Sequence, residues 1–287
     1  MKKLLILGLA ALLLASAFSL AGCGSTPSTS NDNTTNTTTS DVTLPAQVQK
    51  IKDAGVLKVG VKQDVPGFGL LDQSTNQFTG MEIDLAHNIG KEIFGSSYSD
   101  SKVKFTPVTA DTRGTLLDNG QIDMVIATFT IKPERKLQWN FSDPYYTDGV
   151  GVMVKKDSGI TDLKGLVGKT VAVATGSTSQ AAVEDEEKAE GISGIKFTSF
   201  ADYPSCSTAL MSGRVDGFSV DRSILAGYLN DSTVLLPAKF APQDYGIATK
   251  LTNKDLAKWV NDLVVKWKGD GTISALVTKY AKYGLSE

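Results

Sequence analysis

Short apolar runs of strand length alternate along this chain with longer stretches in which apolar residues recur three and four positions apart. Residues 56–61 read as a first strand. Residues 80–94, with Ile83, Ala86, Ile89 and Ile93 at helical spacing, read as a helix that follows a loop over 62–72. Residues 103–108 are a second strand and 109–117 a loop and helix carrying Arg113; 122–127, entered through the turn pair Asn119 and Gly120, are a third strand. After Tyr146 the alternation resumes. Strands are expected over 150–154, 170–174, 195–198 and 215–220, with helices over 161–167, 180–190, from the N-cap Asp202 through Met211, and over 222–229. The chain closes with an extended stretch at 237–245, a strand at 246–249, and helices at 254–267 and 273–283 parted by Asp270 and Gly271. This alternation predicts an α/β fold built on open, mostly parallel sheets flanked by helices.

Sheets of this kind bind ligands beyond the C-terminal ends of their strands, and Lys62, Arg113, Thr128 and Arg135 all fall at such ends. Thr128 and Thr130 follow the third strand directly. Pro133 and Glu134 mark the first turn of a helix, and Arg135 lies in that turn beside hydroxyls and unpaired N–H groups. Donors converge there, the helix macrodipole is positive, and a guanidinium fork matches a carboxylate through two parallel hydrogen bonds. A second hydroxyl-rich turn, 175–179, follows the strand at 170–174; lacking spaced glycines and a lysine, it is not a P-loop. Asp221 ends the strand at 215–220, where it either faces a cleft or caps the helix at 222–229.

The N-terminus carries a different signal. Lys2 and Lys3, the apolar segment 4–20 and the small residues Ala21 and Gly22 describe a secretory signal peptide at 1–22. Leu20, Ala21, Gly22 and Cys23 together resemble a lipobox, which implies a diacylated Cys23 and stable membrane anchoring. Residues 24–40 are almost entirely Ser, Thr and Asn, too polar to offset the entropy of ordering, so 23–45 is expected to be a tether spanning on the order of 25 Å. Removing 1–22 takes two lysines from the 29 basic groups, leaving 27 against 31 acidic ones and a net charge of −4. Without a basic stripe, nucleic-acid binding is not expected. Cys206 is left without a partner and His87, the single histidine, has no ligand cluster around it, so no disulfide, metal site or cofactor is expected.

The stretch LLDNGQIDMVIATFTIKPERK followed by FSDPYY resembles the signature of the polar amino-acid-binding proteins of bacterial ABC importers, the family 3 extracellular solute-binding proteins; the likeness runs from about Val56 to Tyr283. VGVKQDVP and FTPVTADTRG are nearest in pattern to aspartate- and glutamate-binding members. The resemblance implies a two-lobed periplasmic-binding-protein fold of type II. One lobe is then 46–147 with 244–287, the other the insertion 148–243, and the crossings at 145–149 and 243–247 form a two-segment hinge. It also implies that Arg135, with Thr130 and Thr128, grips an α-carboxylate, and that Asp221, within RVDGFSVD, takes the α-ammonium. Lys62 and Arg113 border the ligand side chain, and Thr178 and Tyr245 line the site. Lys132 departs from the family, which commonly has a helix-capping Thr there. Two buried cations without a counter-charge are costly, so an acidic ligand, aspartate or glutamate, is expected, with glutamine or cystine as alternatives. A cyclohexadienyl-dehydratase-like enzyme is the other alternative, but Glu134 and Asp143 lack a recognisable catalytic partner, so no catalysis is expected. The partners implied are a separate permease with its ATPase subunits, and the protein itself is expected to be an extracytoplasmic, membrane-anchored monomer.

Overall fold

The computed structural model describes residues 44–286. The expected signal peptide, Cys23 and the tether up to residue 43 lie outside the described residues.

Helix α1 (Ala46–Ala54) leads into β1 (Leu57–Val61), the first strand expected. The segment expected to be a plain loop instead folds into a small antiparallel sheet of β2 (Asp64–Val65), β3 (Gly69–Asp72) and β4 (Gln77–Thr79). Helix α2 (Met81–Phe94) follows, and the chain docks its first turn on that sheet. Met81 N–H donates to the Gly67 carbonyl (2.8 Å) and Glu82 N–H to the Phe68 carbonyl (3.0 Å), satisfying donors that a helix start leaves free. Gly80 makes this approach possible: its φ is +138°, and a Cβ there would lie 2.0 Å from the Phe68 oxygen. Ile83, Leu85, Ile89 and Ile93 of α2 are each at most 2 % exposed, so each stabilises the fold by roughly 1.5–3 kcal/mol on the transfer scale.

β5 (Val103–Pro107), α3 (Thr112–Asp118), β6 (Met124–Ile126), the single-turn α4 (Pro133–Lys136) and β7 (Trp139–Phe141) complete the outward run. The chain then enters the long β8 (Tyr146–Lys155), β9 (Thr170–Ala174), α5 (Ser179–Ala189), β10 (Lys196–Phe200), α6 (Tyr203–Met211), β11 (Gly217–Asp221), α7 (Arg222–Ala226), β12 (Thr233–Leu235) and β13 (Phe240–Tyr245). It returns through β14 (Ala248–Lys250) to α8 (Lys254–Gly269) and α9 (Thr272–Lys279).

Two sheets result, the first ordered β5-β1-β6-β14-β7 and the second β10-β9-β11-β8-β12, with β13 also paired to β8. Each has a run of three parallel strands, β5-β1-β6 and β10-β9-β11, extended by antiparallel strands. β7 and β8 flank the first crossing between the sheets, and β13 and β14 the second. β8 and β13 pair antiparallel in the register Tyr146↔Tyr245 and Thr147↔Asp244, and Tyr145 N–H donates to the Tyr245 carbonyl (2.9 Å), so the two crossings travel side by side.

Three expected helices are shorter. The segment 161–167 keeps one 3₁₀ turn, Lys164–Leu166, which contains Gly165 and stops short of Gly168; α7 stops at Ala226, before Gly227; and the last helix ends at Lys279, resuming as a 3₁₀ turn over Ala281–Tyr283. Cys206 is fully buried, and burial pushes its thiol up to about 12. His87 is a half-buried helix residue whose Nδ1 lies 2.7 Å from the Tyr98 hydroxyl. Among the described residues no helix is long and apolar enough to cross a membrane, and no His, Cys, Asp and Glu cluster could hold a metal.

Candidate functional site

The strand ends bring the predicted residues together. Lys62, one residue past β1, is 1 % exposed; its Nζ lies 3.1 Å from Asp64 Oδ1 and 4.5 Å from the centre of the Tyr203 ring, which belongs to α6 beside the second sheet. Lys62 is therefore not a solvated loop lysine, and the expectation that it lacks a counter-charge is corrected: Asp64, two residues on, supplies one. Arg113, in α3, is 2 % exposed and donates from NH1 to the carbonyls of Ala127 (2.7 Å) and Thr128 (3.1 Å). Its guanidinium carbon lies 3.9 Å from the Phe129 ring centre, and its Nε has no partner.

Arg135 reaches inward from α4. Its NH1 donates to the Thr130 carbonyl (2.8 Å), and its NH2 crosses to the second lobe and donates to the Gly176 carbonyl (3.0 Å) in the hydroxyl-rich turn after β9. The guanidinium also lies 4.9 Å from the Phe129 ring centre, so both arginines stack on one aromatic. Two of its five N–H donors are thus engaged with carbonyls, and the rest are free for an anion. Next to it, a cavity of about 280 Å³ is bounded by Ala110, Asp111, Gly114, Phe129, Arg135 and Gly176. Lys132 gives α4 no side-chain cap.

Thr128 and Thr130 are each 3 % exposed. Thr128 has φ +44°, a region costly for a β-branched residue by roughly 1–3 kcal/mol. Hydrogen bonds on both sides hold it there: its N–H donates to Glu82 Oε1 (2.6 Å) and its carbonyl receives Arg113. Thr130 forms an isolated bridge with Tyr245. Asp221, at the tip of β11, is 4 % exposed and makes no side-chain cap to α7; its carboxylate accepts from the Tyr245 hydroxyl. Of its two sequence readings, only the inward-facing one matches this geometry. Thr178 does not cap α5 either, its hydroxyl donating to Gln243 Oε1 (2.8 Å) on the returning crossing. Tyr245 is completely buried.

Three neighbours were not picked out from the sequence: Glu82, Asp64 and Tyr203. Glu82 is 0 % exposed and accepts from Tyr145 Oη (2.6 Å) as well as from Thr128. Its sequence signal, an acid in the first helical turn after Gly80, is the ordinary one for a helix start. Tyr203 follows the N-cap Asp202 and reads as a helix-opening residue.

Burial governs the electrostatics. It raises the Asp221 carboxyl to about 7 against the opposing hydrogen bond from Tyr245, and the Glu82 carboxyl to about 7 against those from Tyr145 and Thr128. It lowers Lys62 and Arg113, and lowers Arg135 to about 9, where the charge of Arg113 adds to the effect. A carboxylate on the arginines and an ammonium on Asp221 would each oppose these shifts, so the arrangement is matched to a group carrying both.

The model of the bacterial extracellular solute-binding proteins, family 3, matches residues 57–283. The chain is 37 % identical over 285 residues to the ABC transporter glutamine-binding protein GlnH of Bacillus subtilis (strain 168), covering 98 % of each. It is 31 % identical to the L-cystine-binding protein TcyJ of Escherichia coli (strain K12), over 81 % of this chain and 85 % of that one. The glutamate-binding protein GluB of Corynebacterium glutamicum is 29 % identical over 78 % of each. Among solved structures, the ancestral amino acid-binding protein AncCDT-1, a precursor of cyclohexadienyl dehydratase, superposes with a TM-score of 0.70 at 33 % identity, over 82 % of this chain and 99 % of that one.

Proposed function

The chain belongs to the bacterial extracellular solute-binding proteins of family 3, as a substrate-binding protein of amino-acid ABC transport, and we propose that its ligand is an acidic L-amino acid, glutamate or aspartate. In this reading Arg135, Thr130 and Thr128 receive the α-carboxylate and Asp221 the α-ammonium. Arg113 and Lys62 receive the side-chain carboxylate, and Thr178 and Tyr245 complete the wall. The lobes are 46–147 with 244–287 and 148–243, and they close about the crossings at 145–149 and 243–247. Contacts from one sheet's side to the other support a closing motion: Arg135 to Gly176, Lys62 over Tyr203, and the Tyr228 hydroxyl donating to the Asp64 carbonyl. Cys23 carries the lipid anchor, and the monomer hands its ligand to a permease driven by separate ATPase subunits. In this reading the protein binds without catalysing, and the site carboxyls Glu82 and Asp221 serve as hydrogen-bond acceptors for Thr128 N–H and for the Tyr145 and Tyr245 hydroxyls.

The observation that carries the acidic assignment is Arg113. It is a buried cation with an unpartnered Nε, and among the described residues no carboxylate lies within 4.0 Å of it. Glutamine is the second reading, favoured by the GlnH likeness and by Asp64 already answering Lys62. Calorimetric titration with glutamate, aspartate, glutamine and cystine decides. Binding of glutamate or aspartate is expected; tight binding of glutamine with no heat from either acid would overturn the assignment.

A further inference from the structure

Glu82 has no part in the clamp described so far, yet it holds one of its members, Thr128, and the Tyr145 hydroxyl at the crossing. Oε1 accepts from Thr128 N–H and from the Tyr145 hydroxyl, while Oε2 has no partner; nor do Thr128 Oγ1 and Arg113 Nε. These orphan atoms gather around one residue, since Glu82 holds the Thr128 N–H and Arg113 holds the Thr128 carbonyl. The charged and titratable groups that act on Glu82 are Lys62 at the end of β1, Arg113 on α3 and Tyr145 at the crossing.

The buried charges form a closed count. Lys62, Arg113 and Arg135 stand against Asp64, Glu82 and Asp221, and Asp148, which acts on Asp221, is answered by Lys239 at 3.4 Å, so a zwitterion with an uncharged side chain leaves the balance intact. A second ligand carboxylate adds one negative charge to a region that water does not screen. Of the three acids, Asp64 has the Lys62 ammonium 3.1 Å away, and Asp221 is assigned the ligand ammonium. Glu82 Oε2 and Asp64 Oδ1 both lack a hydrogen-bond partner, but only Asp64 has a cation within 4.0 Å, and Glu82 has none among the described residues.

We propose that Glu82 is a specificity-determining residue that takes up a proton from solvent when an amino acid with an anionic side chain is captured, and takes up none for the carboxamide analogue. This rests on the acidic-ligand reading above. Burial already holds Glu82 at about 7, so the proton is exchanged near neutral pH. A bound carboxylate raises it further, and the acidic ligand's affinity then falls about tenfold per pH unit above 7, the slope of one linked proton. Asp221, also raised to about 7, loses its proton to solvent when the α-ammonium of either ligand binds beside it, and this release cancels between glutamate and glutamine.

Calorimetry of the full chain in two buffers of different ionisation enthalpy, at several values between about pH 6 and 9, counts the protons. Glutamate is expected to bind with up to about one proton more than glutamine, and Glu82→Gln to abolish that excess and flatten the glutamate pH slope. Equal proton counts for the two ligands overturn the proposal. So does an excess that survives in Glu82→Gln, which would put the proton on the ligand's own carboxyl. If Glu82→Gln does not fold, equal counts in the wild type still overturn the proposal, and Tyr145→Phe, which removes a hydrogen bond that lowers the Glu82 carboxyl, is expected to move the fall in glutamate affinity to higher pH, an unmoved profile overturning it; if glutamine binding is undetectable, the pH slope of the wild type against the variant decides. Absence of glutamate and aspartate binding at every pH removes the proposal together with the functional reading beneath it, a failure distinct from binding without proton uptake.

Discussion

Gly227 offers a way to act on closure without touching the ligand. It follows α7 on the second sheet's side with φ −69° and ψ −13°, a backbone conformation open to any residue. A Cβ there would lie 2.9, 3.0 and 3.1 Å from the Cδ, Cγ and Cβ of Pro66, which sits in the small sheet on the first sheet's side. Both partners are short of room to yield, because the proline ring is rigid and Gly227 is anchored by its N–H to the Ile224 carbonyl (3.0 Å). Gly227→Val therefore penalises the contact between the lobes and leaves each lobe's own packing alone. Overpacking of this kind costs about 1–3 kcal/mol. If about 2 kcal/mol falls on the closed form only, the apparent affinity drops roughly 30-fold, at 1.4 kcal/mol per decade. Titration calorimetry reads the affinity, small-angle scattering with and without ligand reads the compaction, and thermal unfolding of the ligand-free protein reads the fold. Unchanged affinity, or a loss matched by an equal fall in ligand-free stability, would refute the reasoning.

Arg135→Lys keeps the charge but loses the fork, and is expected to weaken glutamate, aspartate and glutamine alike by about 10–100-fold, as charge-assisted hydrogen bonds of ~1.5–3 kcal/mol are lost; a change confined to one ligand by calorimetry would contradict the α-carboxylate role. Tyr245→Phe takes away the hydroxyl that lowers the Asp221 carboxyl, so that carboxyl rises further above about 7. Ligand binding at neutral pH should then weaken about tenfold and release more protons, counted by titrating in two buffers. The ligand-free protein should lose stability as pH rises from about 4 to about 7. Asp221 and Glu82 are raised from the ordinary carboxylate range to about 7, so over that window the folded state binds more protons than the unfolded one. Melting temperatures followed across that range should fall, and less steeply with ligand bound; a rise would show that the buried carboxyls do not dominate.

How much of this was legible in the sequence depended on the distance over which each feature is encoded. Strand and helix order could be read because a period of two or of 3.6 residues is written locally: β1, β9 and β11 and helices α2, α5 and α8 stand within a few residues of their expected places. The small sheet over β2 to β4 was hidden, since Pro66, Gly67 and Gly69 read as loop while its pairing partners lie further along the chain. Helix ends failed where a glycine intervened, at Gly227 and around Gly165. The basic half of the site was visible because Lys62, Arg113 and Arg135 each lie beyond a strand end, a position that topology makes common ground.

Of the acidic half only Asp221 was visible, and the reason is physical. Glu82 belongs to the site only because Thr128 is bent to φ +44° and turns its N–H toward a helix 46 positions earlier. Tyr203 belongs only because α6, about 140 positions further along the chain, sets its ring 4.5 Å from the Lys62 ammonium. Counting cations from the sequence therefore gave an excess of positive charge that the folded site largely answers from within. The ligand question then becomes a question about the site's protonation: with Glu82 ionised the pocket is matched to a carboxamide, and with Glu82 neutral to a carboxylate. Relatives named for glutamine and for glutamate both align with most of this chain. A single buried proton can decide between side chains that differ by little more than charge, without any change in the residues that line the cleft.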